Sequence, residues 1–164
     1  MKKTIIFIFL FLISFFFLKT FCQTLPAGLP EDIADYTKWT RLNKKIIPPR
    51  EGDAHRGYKR VYVNRLKSDL VDSNKKLIFP YPEGTIVVKE VKKDQKKKSN
   101  IVLVAIMRKL PGNENTGGWD FVEYTRSSQD GSFIPIAFPK ESCYACHSGA
   151  SDSDAVWTKF DRFK

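Results

Sequence analysis

The chain has 164 residues, 42% of them hydrophobic, with 28 Lys and Arg against 18 Asp and Glu and a formal net charge of +10. That length holds one domain around one core rather than two, and three cysteines are too few to staple a disulfide scaffold. The basic balance suits an acidic partner or an anionic surface, but no nucleic-acid reading module is recognisable, so no nucleic-acid partner is expected.

The first element reads as an export signal. Lys2 and Lys3 form a basic start, residues 5–18 are apolar apart from Ser14, and Leu25-Pro26 opens a polar stretch, which is the pattern of a bacterial-type secretory signal. The apolar run falls short of the about 20 residues of a membrane span, which favours cleavage over anchoring. Thr20 and Cys22 are small enough for the two recognition positions before a cleavage site, so residues 1–22 are expected as a signal peptide and 23–164 as an exported, periplasmic domain. Lipid anchoring at Cys22 is the alternative, although Phe21 is bulky where such a site wants a small residue. Cleavage removes Lys2, Lys3 and Lys19 and takes the net charge from +10 to +7, and it removes seven of the 13 Phe. The aromatic richness of the whole chain is therefore partly an address.

After the signal the pattern predicts a short helix, several strands and a C-terminal tail. Pro30-Glu31-Asp32 puts carboxylates at a helix start, where the backbone dipole favours them. Ile33, Tyr36 and Trp39 follow at a spacing of three, and the helix is expected to fade near Asn43, ahead of Pro48-Pro49. Residues 58–64 alternate and contain Val61, Tyr62 and Val63, all β-favouring. A second strand is expected over 85–91, opened by the turn Tyr81-Pro82-Glu83-Gly84, then an apolar and central strand over 101–108, and a fourth over 119–125 behind Gly117-Gly118. Residues 92–100 form a charged hairpin connection with Lys92, Lys93, Lys96, Lys97 and Lys98, read as a solvated tip, with docking to an acidic partner or an anionic membrane surface as the alternative. His55, between Asp53 and Arg56, reads as a surface histidine rather than a metal ligand. Met107, inside an apolar strand, reads as core packing rather than a thioether ligand to a metal.

Lys89 stands apart. In the strand over 85–91 it shares a face with Val87 and Val91, while Ile86, Val88 and Glu90 share the other. One charge interrupts each apolar row. If both faces are covered, a lysine facing a pocket loses water and its pKa falls toward the neutral, nucleophilic amine; a strand-end lysine snorkelling to solvent is the other reading.

The most informative residues are Cys143-Tyr144-Ala145-Cys146-His147, the C-x-x-C-H signature of c-type haem attachment. Two thiols at this spacing can each form a thioether to one porphyrin, and the next side chain then lies over the metal. Cys143 and Cys146 are thus candidates to hold one covalent haem c, and His147 to be its proximal iron ligand. Structural zinc needs four ligands, and the chain adds only His55 and Cys22. A redox dithiol belongs after an early strand of a βαβ unit, and a short-loop disulfide is the remaining alternative. After His147 come Ser148-Gly149-Ala150, with no carboxylate until Asp152, so no acidic group is expected beside the iron.

Several segments together resemble one family. Tyr36 and Trp39, the strand Arg60-Val61-Tyr62-Val63, the run from Tyr81-Pro82-Glu83-Gly84 through Val88-Lys89-Glu90, Gly118-Trp119-Asp120-Phe121, and the C-x-x-C-H motif followed by Asp154-Ala155-Val156-Trp157 are similar to the cytochrome P460 family, which includes the cytochromes c′-beta. The resemblance covers nearly all of residues 30–164. It implies an α+β fold, predominantly an antiparallel β-sheet with flanking short helices, usually a homodimer, holding a five-coordinate haem. Members either oxidise hydroxylamine, with a lysine joined covalently to the porphyrin, or bind nitric oxide or carbon monoxide without turnover. By motif position Lys89 is the candidate cross-linking residue. A small electron-transfer cytochrome c remains a third reading, and a partner cytochrome would serve as electron acceptor for the first.

Overall fold

The computed structural model describes residues 25–96 and 100–161. The signal expected over 1–22, with Cys22, and the loop residues Lys97 and Lys98 lie outside the described residues. Six strands form one antiparallel sheet in sequence order: β1 (Thr40–Arg41), β2 (Tyr58–Val63), β3 (Ile86–Lys92), β4 (Ile101–Lys109), β5 (Trp119–Thr125) and β6 (Ile134–Ile136). Every neighbour pairs antiparallel, a meander that needs no crossover. The helix α1 (Lys140–His147) follows, and a 3-10 segment, Ser148–Ser153, continues from it. The fold is therefore α+β and dominated by the antiparallel sheet, as the resemblance implied.

The four expected strands all form, with ends that move by a residue. The helix expected from residue 30 to 43 does not. In its place are two 3-10 turns, Glu31–Ile33 and Tyr36–Lys38, and then the edge strand β1. The reason lies in the pattern itself. A spacing of three is the period of a 3-10 helix, not of an α-helix, and Trp39 is already extended at ψ 170°. Strand β6 was not anticipated because Pro135 sits in its middle; it lies at the sheet edge, where a missing N–H does no harm.

Alternation along the strands divides the core in two. Val61, Val63, Val87, Met107, Trp119 and Phe121 point to one face, where Val156 and Phe160 of the C-terminal tail and Leu42 close over them. Tyr62, Val88, Val104 and Ile106 point to the other, where Ile33 and Tyr36 of the 3-10 turns cover them. Burying each such side chain contributes roughly 1.5–3 kcal/mol. Met107 is packed in the first core, as expected.

Candidate haem-binding site

Helix α1 lays the motif against the first face of the sheet. Cys143 and Cys146 are three residues apart on it, so both project to the same side, and both are free thiols. Burial pushes the Cys143 thiol above its usual pKa. His147 ends the helix, is 8% exposed, and meets the Phe121 ring edge-on at 5.1 Å between centroids. Its Nδ1 lies 2.7 Å from the Ala155 carbonyl oxygen. A carbonyl can only accept, so Nδ1 carries the proton and Nε2 keeps the lone pair. Burial lowers the His147 pKa to about 4, against the hydrogen bond to Ala155, with the Lys89 and His55 charges adding to the fall. The imidazole is therefore neutral at ordinary pH, the form that ligates metal.

Cys143, Cys146 and His147 line a cavity of about 820 Å3, within the range of about 300–1,000 Å3 common to cofactor sites. Val61, Val87, Met107, Phe121 and Val156 form apolar walls. Two free thiols, a neutral imidazole with its nitrogens already assigned and a large apolar chamber are the donor set and volume that a haem requires, so the residues present fit the group.

The polar part of the cavity comes from one row across the sheet. Register places Val61 beside Lys89, Lys89 beside Ala105, and Ala105 beside Glu123. Lys89 and Glu123 thus lie two strands apart, roughly 10 Å at the usual strand spacing, with only the methyl of Ala105 between them. His55 bridges that gap from the loop before β2. Its Nδ1 is 3.0 Å from Lys89 Nζ and its Nε2 is 2.6 Å from Glu123 Oε1. With a carboxylate at Nε2, that nitrogen donates and Nδ1 accepts from the Lys89 amine.

The loop can reach this far because of its anchors. Gly57 has φ 134°, and a Cβ there would meet Lys92 O at 2.6 Å, so only glycine lets the loop run so close to β3. Asp53 is ion-paired to Lys59 and accepts the His55 backbone N–H at 3.1 Å. Burial opposes the Asp53 charge, but the Lys59 hydrogen bond and charge outweigh it and hold its pKa below the ordinary value.

Electrostatics set the two ends of the row in opposite directions. Burial lowers the Lys89 pKa, although the Asp53 and Glu123 charges resist. The hydrogen bond from His55 holds Glu123 below the usual carboxylate range in spite of burial, with Lys89 adding to the effect. The site therefore keeps an ionised carboxylate and an amine pushed toward its free base.

All four residues singled out from the sequence, Lys89, Cys143, Cys146 and His147, line this one cavity. The expectation for His55 is corrected: it is no surface histidine, but a cavity residue whose side chain is 12% exposed. The expected lack of an acidic group is corrected as well, since Glu123 and Asp53 both line the chamber. Glu123 had a signal in the sequence, because Trp119, Phe121 and Glu123 alternate on one face and the carboxylate ends an aromatic row.

A sheet with this chamber, a neutral imidazole and paired thiols at its edge defines a haem-binding class of protein. The family model for cytochrome P460 matches residues 33–158, most of the chain. The chain belongs to the cytochrome P460 family and is a haem protein of that family. No curated protein matches it significantly.

Proposed function

We propose that this is an exported, periplasmic c-type cytochrome of the P460 family that oxidises hydroxylamine. Cys143 and Cys146 would carry one haem c through two thioethers, and His147 Nε2 would be the proximal iron ligand, leaving the sixth position to substrate. When bound, the haem supplies a redox-active iron that takes electrons from the nitrogen compound, a partner cytochrome being the final acceptor.

The Lys89–His55–Glu123 chain is the observation that supports turnover over passive binding. Hydroxylamine loses protons as it loses electrons, and a base must stand nearby to accept them. Glu123 is held ionised for that task, and His55, with one nitrogen on Glu123 and the other on Lys89, relays protons along the row. Lys89, desolvated toward the free amine, is suited to the cross-link that the resemblance implies. Joining Nζ to a porphyrin carbon would remove one hydrogen from each partner, a two-electron oxidation that would need a peroxide-class oxidant as electron acceptor.

The test is peptide mass spectrometry of protein matured with a c-type haem assembly system, together with hydroxylamine turnover. Lys89 should be recovered attached to haem, and Lys89→Ala should give an ordinary c-type spectrum without turnover. A free Lys89 in fully matured protein that binds nitric oxide tightly would replace the oxidase by a gas-binding protein, a reading the apolar walls at Val61, Val87 and Phe121 favour. A low-spin spectrum that changes on Met107→Ala would instead mark an electron carrier.

A further inference from the structure

Behind His147 lies a second, smaller ionic cluster, on the same sheet face as the cavity row but four residues further along β4, at Lys109. The Ala155 carbonyl that receives the His147 Nδ1 proton belongs to a turn in which two consecutive non-glycine residues are left-handed, Asp154 at φ 52° and Ala155 at φ 64°. Such a backbone persists only where its surroundings hold it. Both Asp154 oxygens are engaged: Oδ1 and Oδ2 take Lys109 Nζ at 2.7 and 3.0 Å, and Oδ2 accepts the Tyr81 backbone N–H at 2.9 Å. Lys109 also donates to the Gly117 carbonyl at 2.8 Å and sits 4.9 Å from the Trp119 ring centroid. The pair is well enclosed, each side chain being 13% exposed. The turn closes with the Ala155 N–H on the Ala150 carbonyl at 3.0 Å.

We infer that Asp154 and Lys109 are positioning residues for the iron ligand: by pinning the turn to the end of β4 they fix the Ala155 carbonyl at His147 Nδ1, and so set the orientation and donor strength of Nε2. The inference rests on the reading of His147 as the haem ligand. An outer partner on the far nitrogen of a ligating histidine orients the ring and raises its basicity, and axial-ligand strength is a lever on potential. The nearby Asp152–Lys159 pair is exposed and makes no contact with this turn's carbonyl.

The experiment compares haem-loaded wild type with Asp154→Gly, Asp154→Asn, Lys109→Met and Asp152→Asn, the last at an exposed residue outside the chamber lining. Glycine keeps the left-handed turn accessible and removes the clamp. Asparagine keeps an acceptor for Tyr81, and methionine keeps the packing on Trp119. The readouts are the iron–imidazole stretching band of the ferrous protein and the reduction potential. Asp154→Gly and Lys109→Met should lower the band and raise the potential, Asp154→Asn should recover part of both, and Asp152→Asn should change neither. Clamp variants that are less heat-stable but keep the wild-type band and potential would reduce Asp154 and Lys109 to structural residues and overturn the inference. So would clamp variants that fail to load haem alone among the four, with Asp154→Asn showing the wild-type band. A wild type that holds no haem would instead remove the parent reading, and the inference with it.

Discussion

Strand β3 carries two adjacent charges, Lys89 and Glu90, on opposite faces of the same sheet, and the two faces treat them differently. Glu90 is 3% exposed and accepts the Tyr36 hydroxyl at 2.9 Å. Tyr36 packs edge-on to Tyr62 at 5.6 Å, and burial with the Glu90 charge raises its pKa well above the ordinary phenol. There the 3-10 turns bring Ile33 and Tyr36 down onto the sheet and fill the volume. Over Lys89 the covering segment is the polar loop with Asp53 and His55, and a chamber remains. A buried charge on a filled face is a matter of structure, and Glu90 is held there through Oε1 alone, its Oε2 having no hydrogen-bond partner among the described residues. A charge on a face left open needs a partner and still has space in front of it, which is where chemistry is placed.

The sharpest way to test the contrast is to remove the charge on the open face and the charge's partner on the filled one. Lys89→Met on the open face should cost at least ~100-fold in hydroxylamine turnover, the lower end of what a positioned proton-transfer or covalent residue contributes, while the denaturant midpoint moves little, because the lost contact to His55 is offset by removing a desolvated amine. Equal loss of turnover and of stability would erase the distinction between the faces. On the filled face the order reverses. Tyr36→Phe should destabilise by about 1.5–3 kcal/mol, the usual worth of a hydrogen bond to a charged group, and leave the absorption spectrum of the haem protein unchanged. A spectral change in Tyr36→Phe would show that the second face also communicates with the iron.

The sheet was legible because alternation survives in the sequence. The rows Val87-Lys89-Val91 and Ile86-Val88-Glu90 can be assigned to faces without coordinates, and so can the aromatic row that ends in Glu123. The C-x-x-C-H segment points to its cofactor for a different reason, since that reading depends on local spacing alone. The partnership of Lys89 with Glu123 was not, because it depends on register across two hairpins, one of them with a β-bulge at Val91/Lys92. His55 was harder still: its position is set by Gly57 packing on Lys92 and by Asp53 meeting Lys59, contacts that leave no period in a loop. The false helix at residues 30–43 came from reading a three-residue spacing as α-helical, when the chain makes separate 3-10 turns.

His55 tests whether the open face works as a connected row. Its hydrogen bond is the leading cause of the low Glu123 pKa, so His55→Ala should raise that pKa toward the ordinary carboxylate value, with burial opposed only by the remaining charges. A base works only when deprotonated. The acid limb of the turnover profile should therefore move to higher pH in His55→Ala, with a loss of about tenfold or less near neutrality, where Glu123 is ionised in both proteins. A limb that stays in place would detach Glu123 from the rate.

The smallest effect belongs to the outer margin of the filled face. Arg108, at the end of β4, holds Asp32 of the first 3-10 turn through two hydrogen bonds of 2.7 and 3.0 Å. That bidentate pair ties the covering turns to the sheet, but the Asp32 side chain is 44% exposed, and water and salt screen it. Its net worth should be about 1 kcal/mol or less. The Arg108 hydrogen bond, outweighing burial, lowers the Asp32 pKa from 3.8, so the stabilisation is present above pH 3.8 and is lost as the pH falls through the lower, folded value. Asp32→Asn should accordingly unfold slightly earlier than wild type in denaturant at pH 7, and the gap should narrow in high salt and close in acid. Turnover and spectrum should not move at all, since the pair reaches the sheet only from the face opposite the chamber. If Asp32→Asn altered the haem spectrum as much as it altered stability, the two faces would be coupled through β4 rather than separated by it.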